Sequence, residues 1–272
     1  FWNDGSGVFS EPVSIEVNRA TRFVTTGDLN EDGRLDLLYT NTSNDDVTFR
    51  LNTGDGTFAE GVSMVVGEYP TAAEIADFNG DGLMDILALN SRSDNATMII
   101  GNGDGTFAEP QNFPIGSRIP SQMATADFDG DGDLDLAIMG QSDDVVDGRQ
   151  QSYSLIFQND GFGDDDFVIF QPDQQLVGLN NGEVLWGDYD NDGDLDLAVV
   201  GWDVENDESL RLYLNDESGD GRVLALDRLQ LNSVGDPSLQ GVRYAALAWA
   251  DYDNDGDLDL VISGMETNGT SL

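Results

Sequence analysis

The sequence predicts an all-β fold, a β-propeller of four-stranded antiparallel blades with five repeats visible, on three observations. An acidic nonapeptide of the form D-x-[DN]-x-D-G-x-x-D recurs at residues 28–36, 77–85, 127–135, 188–196 and 251–259. The resulting period of roughly 50 to 60 residues is the length of one propeller blade of four strands. Short apolar runs flank each nonapeptide, and a second Asn-Asp-Gly landmark lies midway between successive copies.

The nonapeptide asks for a cation. Three or four carboxylates within nine residues repel one another unless a positive charge sits between them. Every donor is an oxygen, the preference of a hard ion, and the flexible ligand number favours Ca²⁺ over Mg²⁺. Positions 1, 3 and 5 put alternate side chains on one side of a tight curve. Glycine at position 6 (Gly33, Gly82, Gly132, Gly193, Gly256) allows the sharp turn that follows. Position 7, which is Arg34, Leu83, Asp133, Asp194 or Asp257, has no fixed chemistry and is expected to offer its backbone carbonyl. Position 9 closes the shell.

An EF-hand begins in the same way but needs a carboxylate at position 12 and a helix on each side. Position 12 here is Tyr39, Ala88, Ile138, Val199 or Ile262. These lie in runs such as Leu136–Met139 and Leu260–Ile262, preceded by runs such as Val184–Trp186 and Ala245–Trp249. Runs of this length with β-branched and aromatic members, bounded by Gly and Asp, read as strands. The acidic loop therefore joins two strands of a hairpin.

The second landmark appears as Asn52–Phe58, Asn102–Phe107, Asn159–Phe162, Asn215-Asp216 with Gly219–Gly221, and Asn3–Phe9. It follows alternating runs such as Val47–Leu51, Leu155–Phe157 and Leu210–Leu214, read as third strands. Asn-Gly and Asp-Gly supply the positive φ that a hairpin into a fourth strand needs. Repeats three and four carry additions near Gln141–Gln151, between strands two and three, and near Asp216–Gln240. Insertions on a rigid scaffold are where binding specificity is usually placed. The two chain ends match the same strand of the repeat, which fits a closed five-bladed ring, part of a longer repeat protein, or a blade completed by a neighbouring subunit.

Composition narrows the partners. Net charge is -42, with 53 acidic residues against 11 basic ones, all arginine, and neither His nor Cys. Nucleic acid and anionic membranes are disfavoured, because nothing neutralises phosphate in quantity. Five Ca²⁺ ions would remove roughly ten charges and still leave an acidic surface suited to calcium-rich or saline surroundings. Absence of Cys fits an extracellular protein stabilised by metal instead of disulfides, and no run approaches a membrane span.

The stretch Asp77-Phe-Asn-Gly-Asp-Gly-Leu-Met-Asp85 followed by Gly103-Asp-Gly-Thr-Phe107 resembles the FG-GAP/VCBS repeat family, which includes the β-propeller of integrin α-subunits. The resemblance covers nearly the whole chain, residues 1–272, as a single propeller or propeller segment. It implies one Ca²⁺ per loop, held by Asp28, Asn30, Asp32 and Asp36, then by Asp77, Asn79, Asp81 and Asp85, then by Asp127, Asp129, Asp131 and Asp135. The last two sets are Asp188, Asp190, Asp192 and Asp196, and Asp251, Asp253, Asp255 and Asp259. Integrin propellers have seven blades, only some with the loop, whereas all five visible repeats carry it here. By the same analogy ligands meet the face opposite the loops, which includes Tyr69, Arg118, Arg149, Trp202 and Arg243.

The function expected is a non-enzymatic, extracellular or cell-surface binding or adhesion module for protein or glycan. The alternatives are a structural subunit of a filament, surface layer or large adhesin whose blade edges associate, and a polysaccharide lyase-like enzyme. Catalysis has little material, since general bases and nucleophiles reduce to carboxylates, Ser/Thr and Tyr. Asn41, Asn95 and Asn268 begin glycosylation-acceptor triplets, a pattern short enough to arise by chance. Trp2, Trp186 and Trp249 sit in strand runs and are expected in the core.

Overall fold

A computed structural model describes residues 14–17, 20–116, 118–146, 148–162, 168–203, 208–215, 224–226 and 243–265. Among these there is no helix, and all regular structure is antiparallel sheet. The chain divides into two compact units, Phe1–Ala76 with Leu83–Phe113, and Asp77–Gly82 with Pro114–Leu272.

The first unit holds two four-stranded meanders. One runs β1 (Thr21–Gly27), β2 (Asp36–Asn41), β3 (Asp46–Arg50), β4 (Val62–Val65), and the other β5 (Pro70–Ala76), β6 (Asp85–Asn90), β7 (Asn95–Ile99), β8 (Gln111–Pro114). The second unit holds β9 (Arg118–Ala126), β10 (Asp135–Val146), β11 (Arg149–Phe162), β12 (Val168–Leu176), and then β13 (Asn180–Gly187), β14 (Asp196–Trp202), β15 (Glu208–Asn215), β16 (Leu224–Leu226). A last sheet contains β17 (Arg243–Ala250) and β18 (Asp259–Met265). In all five sheets the acidic nonapeptide connects the first strand to the second, as its flanking runs predict. The landmark at Asn52–Phe58 connects β3 to β4, and that at Asn102–Phe107 connects β7 to β8.

The second strands β2, β6 and β14, and the first half of β10, are buried on both faces, which is why their sequences are near-continuously apolar. Leu38, Ile86, Leu87, Leu136, Ile138, Leu197 and Val199 are all sealed from solvent. Each such side chain contributes about 2 kcal/mol of transfer free energy. Neighbouring sheets within a unit interlock at the residues just before the acidic loop. A Cβ on Gly27 would stand 2.5 Å from Ile75 Cγ2, and one on Gly187 would stand 2.7 Å from the Trp249 indole, so only glycine admits the adjacent sheet. Trp186 stacks on Phe128 with centroids 5.6 Å apart and donates its indole N–H to the Ala124 carbonyl. Trp186 and Trp249 thus pack against the cores, while Trp2 lies outside the described residues.

One expectation is corrected. The addition near Gln141–Gln151 is not a surface loop, because β10 and β11 continue through it as a paired hairpin with Val145 opposite Gln150 and Val146 opposite Arg149. Gly148, next to the paired Val146 and Arg149, has φ 79°, the positive φ that a tight hairpin connection needs for pairing to persist. The Asp216–Gln240 addition lies outside the described residues except for β16, as do the two chain ends. Asn41 is fully buried in the Asn41, Asp46, Thr48 hydrogen-bond cluster, which leaves no room for a glycan in the folded protein.

Candidate metal centre

Each hairpin tip is a nest of backbone N–H groups folded onto its own carboxylates. The position 1 carboxylate accepts the N–H of the position 6 glycine: Gly33 to Asp28 at 2.8 Å, Gly82 to Asp77 at 2.8 Å, Gly132 to Asp127 at 3.1 Å, Gly193 to Asp188 and Gly256 to Asp251 at 3.2 Å. Those glycines have φ between 81° and 101°, a left-handed conformation that L side chains resist. Position 5 accepts the N–H of position 7, from Arg34, Asp133, Asp194 and Asp257 at 3.0 Å each. The turn therefore curls its side-chain oxygens inward.

Three tips bring three carboxylates together with ligand atoms within 4.8 Å of one another: Asp127, Asp129 and Asp135, then Asp188, Asp190 and Asp192, then Asp251, Asp253 and Asp255. At an effective dielectric near 20, each pair in the first cluster repels by about 3–4 kcal/mol. Burial, followed by neighbouring Asp129, Asp133 and Asp127, raises the Asp131 pKa. Burial with Asp127, Asp129 and Asp77 raises that of Asp133, and burial with Asp192 and Asp188 that of Asp190. Asp131, Asp133 and Asp190 are thereby held toward their protonated forms.

Two atoms test whether a metal fits. Asp127 Oδ1 and Asp188 Oδ1 are buried and have no hydrogen-bond partner, although Oδ2 of the same carboxylates is satisfied. A buried anionic oxygen without a donor is costly. Both belong to carboxylates of all-oxygen clusters of the kind a hard divalent ion requires, so the residues fit Ca²⁺.

The first two tips differ. Position 3 is Asn30 or Asn79, and its amide donates to the position 5 carboxylate, Asp32 at 2.9 Å and Asp81 at 3.0 Å. At the first tip Arg34 also forms an ion pair with Asp32 and donates from Nε to the Asn52 carbonyl at 3.1 Å. Its guanidinium occupies an oxygen that a metal would use.

Position 9 does more than its place in the motif implied. Asp135 is buried, and its two oxygens accept the N–H of Phe128 at 3.0 Å and of Asn159 at 2.8 Å. Asp36 does the same with Leu29 and Asn52, and Asp196 with Tyr189 and Asn215. Asp85 accepts from Gly101, and Asp259 from Tyr252. In the first four repeats this carboxylate bolts the acidic tip to the turn after the third strand. Burial is the main cause that raises the pKa of Asp36 and Asp196 and pushes that of Asp135 up to about 7.

The landmark asparagine completes the joint, a role sequence reasoning missed. Asn159 Nδ2 donates to the carbonyls of Phe78 and Leu134, and Asn215 Nδ2 to that of Phe128 at 2.6 Å. Phe78 and Phe128 lie in the tips of the preceding repeats, so each landmark braces two tips. The signal was the recurrence of Asn at the head of every landmark.

Matches to an FG-GAP-like repeat cover residues 28–88, 77–138 and 188–262, about two thirds of the chain, each running from one acidic tip through the next. The chain belongs to the FG-GAP repeat family. A search of curated protein sequences finds no match. Among solved structures this FG-GAP chain is similar to BBS1N in complex with ARL6DN, with TM-score 0.52 and 13% identity over 94% of this chain and 68% of that one. It also aligns with a Photorhabdus luminescens Tc holotoxin pore, at TM-score 0.46 and 21% identity over 92% of this chain, and with the V. cholerae biofilm matrix protein Bap1, at 0.40 and 18% over 83%. The FG-GAP chain spans 11% and 40% of the length of those two.

Of the residues expected on the ligand face, the side chains of Tyr69, Arg149 and Trp202 are described. Tyr69 has φ 58°, donates its N–H to Asp45 at 2.9 Å, and lies under the Arg92 guanidinium at 4.3 Å. Trp202 meets Tyr244 edge-on at 5.7 Å, and Arg149 is exposed at the β10–β11 tip. The side chains of Arg118 and Arg243 lie outside the described residues.

Proposed function

We propose that the chain is a calcium-stabilised β-propeller, or a segment of one, that works outside the cell as a non-catalytic binding or adhesion module for protein or glycan. The observation that carries it is the pair of donorless buried oxygens, Asp127 Oδ1 and Asp188 Oδ1, inside clusters of three carboxylates. Positions 1, 3, 5 and 9 of each tip supply side chains and position 7 a carbonyl, about five Ca²⁺ in all. When bound, the ion supplies charge neutralisation and rigidity. Millimolar calcium outside cells would fill sites with Kd of roughly 10⁻⁴ to 10⁻³ M, whereas cytosol would leave them largely empty, which supports the localisation.

Calorimetric titration of the metal-stripped protein with Ca²⁺ tests the reading. Five sites are expected, the weakest at the first tip, and Arg34→Ala should tighten that site several-fold by releasing Asp32. Saturation at no more than one ion would count against the proposal.

A second reading is favoured by the last sheet. Val261 and Met265 of β18 are exposed, whereas the second strands β2, β6 and β14 are buried. Such a face invites completion by other strands, as in a filament or surface layer. Sedimentation in Ca²⁺ separates the two, since only assembly predicts species larger than the monomer.

A further inference from the structure

The first unit carries an apolar groove on a chain of net charge -42. A cavity of about 790 Å³ opens between β3–β4 and the turn that precedes β8. Phe49 and Phe107, edge to face at 5.1 Å, lie along it with Leu51, Met64 and Pro110. Leu51, Met64 and Phe107 are also the half-buried fringe of that unit's core, so the core itself surfaces here. Glu60 and Glu109 are the charged residues of the lining, and both are exposed.

Among the described residues, the strand beside the groove is an open edge. In the sheet order β1-β2-β3-β4, β4 pairs with β3 and has no described strand on its other side, and its sequence is Val-Ser-Met-Val. Val62 and Val65 are 51% and 72% exposed. Edge strands are ordinarily blunted with charge or proline. The equivalent edge β8 follows that rule, since it reads Gln-Asn-Phe-Pro and buries its one large apolar residue, Phe113. The difference between two strands at the same place in the repeat marks β4 as an edge that is used.

We infer that β4 and its groove capture an extended peptide segment bearing alternate aliphatic side chains and Lys or Arg. The segment pairs its backbone with the open edge, seats an aliphatic side chain against Phe49 and Phe107, and places a cation at Glu60 and Glu109. A second copy of this chain fits worse, because each copy carries a net charge of -42 and no lysine. Anionic lipid is opposed by both glutamates, and the lining offers a glycan few side-chain hydrogen-bond partners beyond Thr106 and those glutamates. The inference deepens the binding-module reading by naming one site and one class of partner.

The test is fluorescence anisotropy on the full chain in Ca²⁺ at low salt. The probes are a labelled twelve-residue peptide of alternating Val and Lys, its twin with Glu for Lys, and a Lys version N-methylated on alternate amides. The Lys peptide is expected to bind at least tenfold tighter than either of the others. Glu60→Lys with Glu109→Lys should reverse the charge preference, and Val62→Lys should abolish binding, with the melting midpoint unchanged in both. Equal affinity for the Lys and Glu peptides, indifference to N-methylation, or a dimer that Val62→Lys dissolves would each overturn the inference. Because the groove holds none of the acidic tips, a calcium titration that fails while the Lys peptide still binds would sink the metal reading and spare this one.

Discussion

Chelation should remove most of the protein's resistance to heat, tens of degrees in the midpoint of the sheet signal followed by circular dichroism. The size follows from linkage. A site with Kd of roughly 10⁻⁴ to 10⁻³ M contributes about 1.4–2.7 kcal/mol in 10 mM Ca²⁺ when only the folded state binds. Five such sites sum to about 7–14 kcal/mol, against the roughly 5–15 kcal/mol by which domains are stable at all. Folding without the ions also leaves the Asp127 and Asp188 oxygens donorless and the clusters repelling. A midpoint within a few degrees in EDTA and in Ca²⁺ would refute the proposal that the tips are held by metal.

The pH dependence should change sign with the metal. Burial pushes the folded pKa of Asp135 up to about 7 from 3.8 and raises those of Asp36 and Asp196. In chelator the folded chain therefore holds protons that the unfolded chain releases. That contribution to stability is complete below about pH 4 and is lost as pH rises through about 7. In Ca²⁺ the metal competes with protons for the same oxygens, so stability rises with pH across the same window. Melting curves from pH 4 to 8 in both conditions should slope oppositely, and parallel slopes would contradict the assignment.

The tips were legible in the sequence because their geometry is local. Nine residues contain the carboxylates, the left-handed glycine and the strand boundaries, and no distant residue is needed to place them. The β10–β11 extension was misread because Gln141–Gln151 is polar, and a solvated hairpin differs from a loop only in its cross-strand pairing. The Asn159 and Asn215 braces were hidden for another reason. Their partners are main-chain carbonyls of Phe78 and Phe128, 81 and 87 residues earlier, and a carbonyl leaves no mark on residue type. The small residue required at Gly27 or Gly187 is likewise set by a side chain of the adjacent sheet, Ile75 or Trp249, that local pattern does not reveal.

Asp135→Ala separates the structural from the metal-binding work of one tip, and it should be the most damaging single substitution in the second unit. The side chain leaves two buried backbone donors, Phe128 N–H and Asn159 N–H, without acceptors. Each orphaned donor costs about 1–3 kcal/mol, so the loss is about 4 kcal/mol before any ion is considered. At about 2–4 °C per kcal/mol for a chain of this size, the midpoint should fall by about 10 °C in chelator and further in Ca²⁺. Asp131 is exposed, and the backbone donor it serves, Asp133 N–H, lies in the same tip. Asp131→Ala should therefore lower the midpoint in Ca²⁺ and leave it nearly unchanged in chelator. Both variants losing stability only with calcium would reduce position 9 to a ligand. A loss by Asp135→Ala in both conditions identifies it as the bolt between the acidic tip and the turn behind it, and explains why the motif ends in aspartate even though position 5 already completes the carboxylate clusters of the last two repeats.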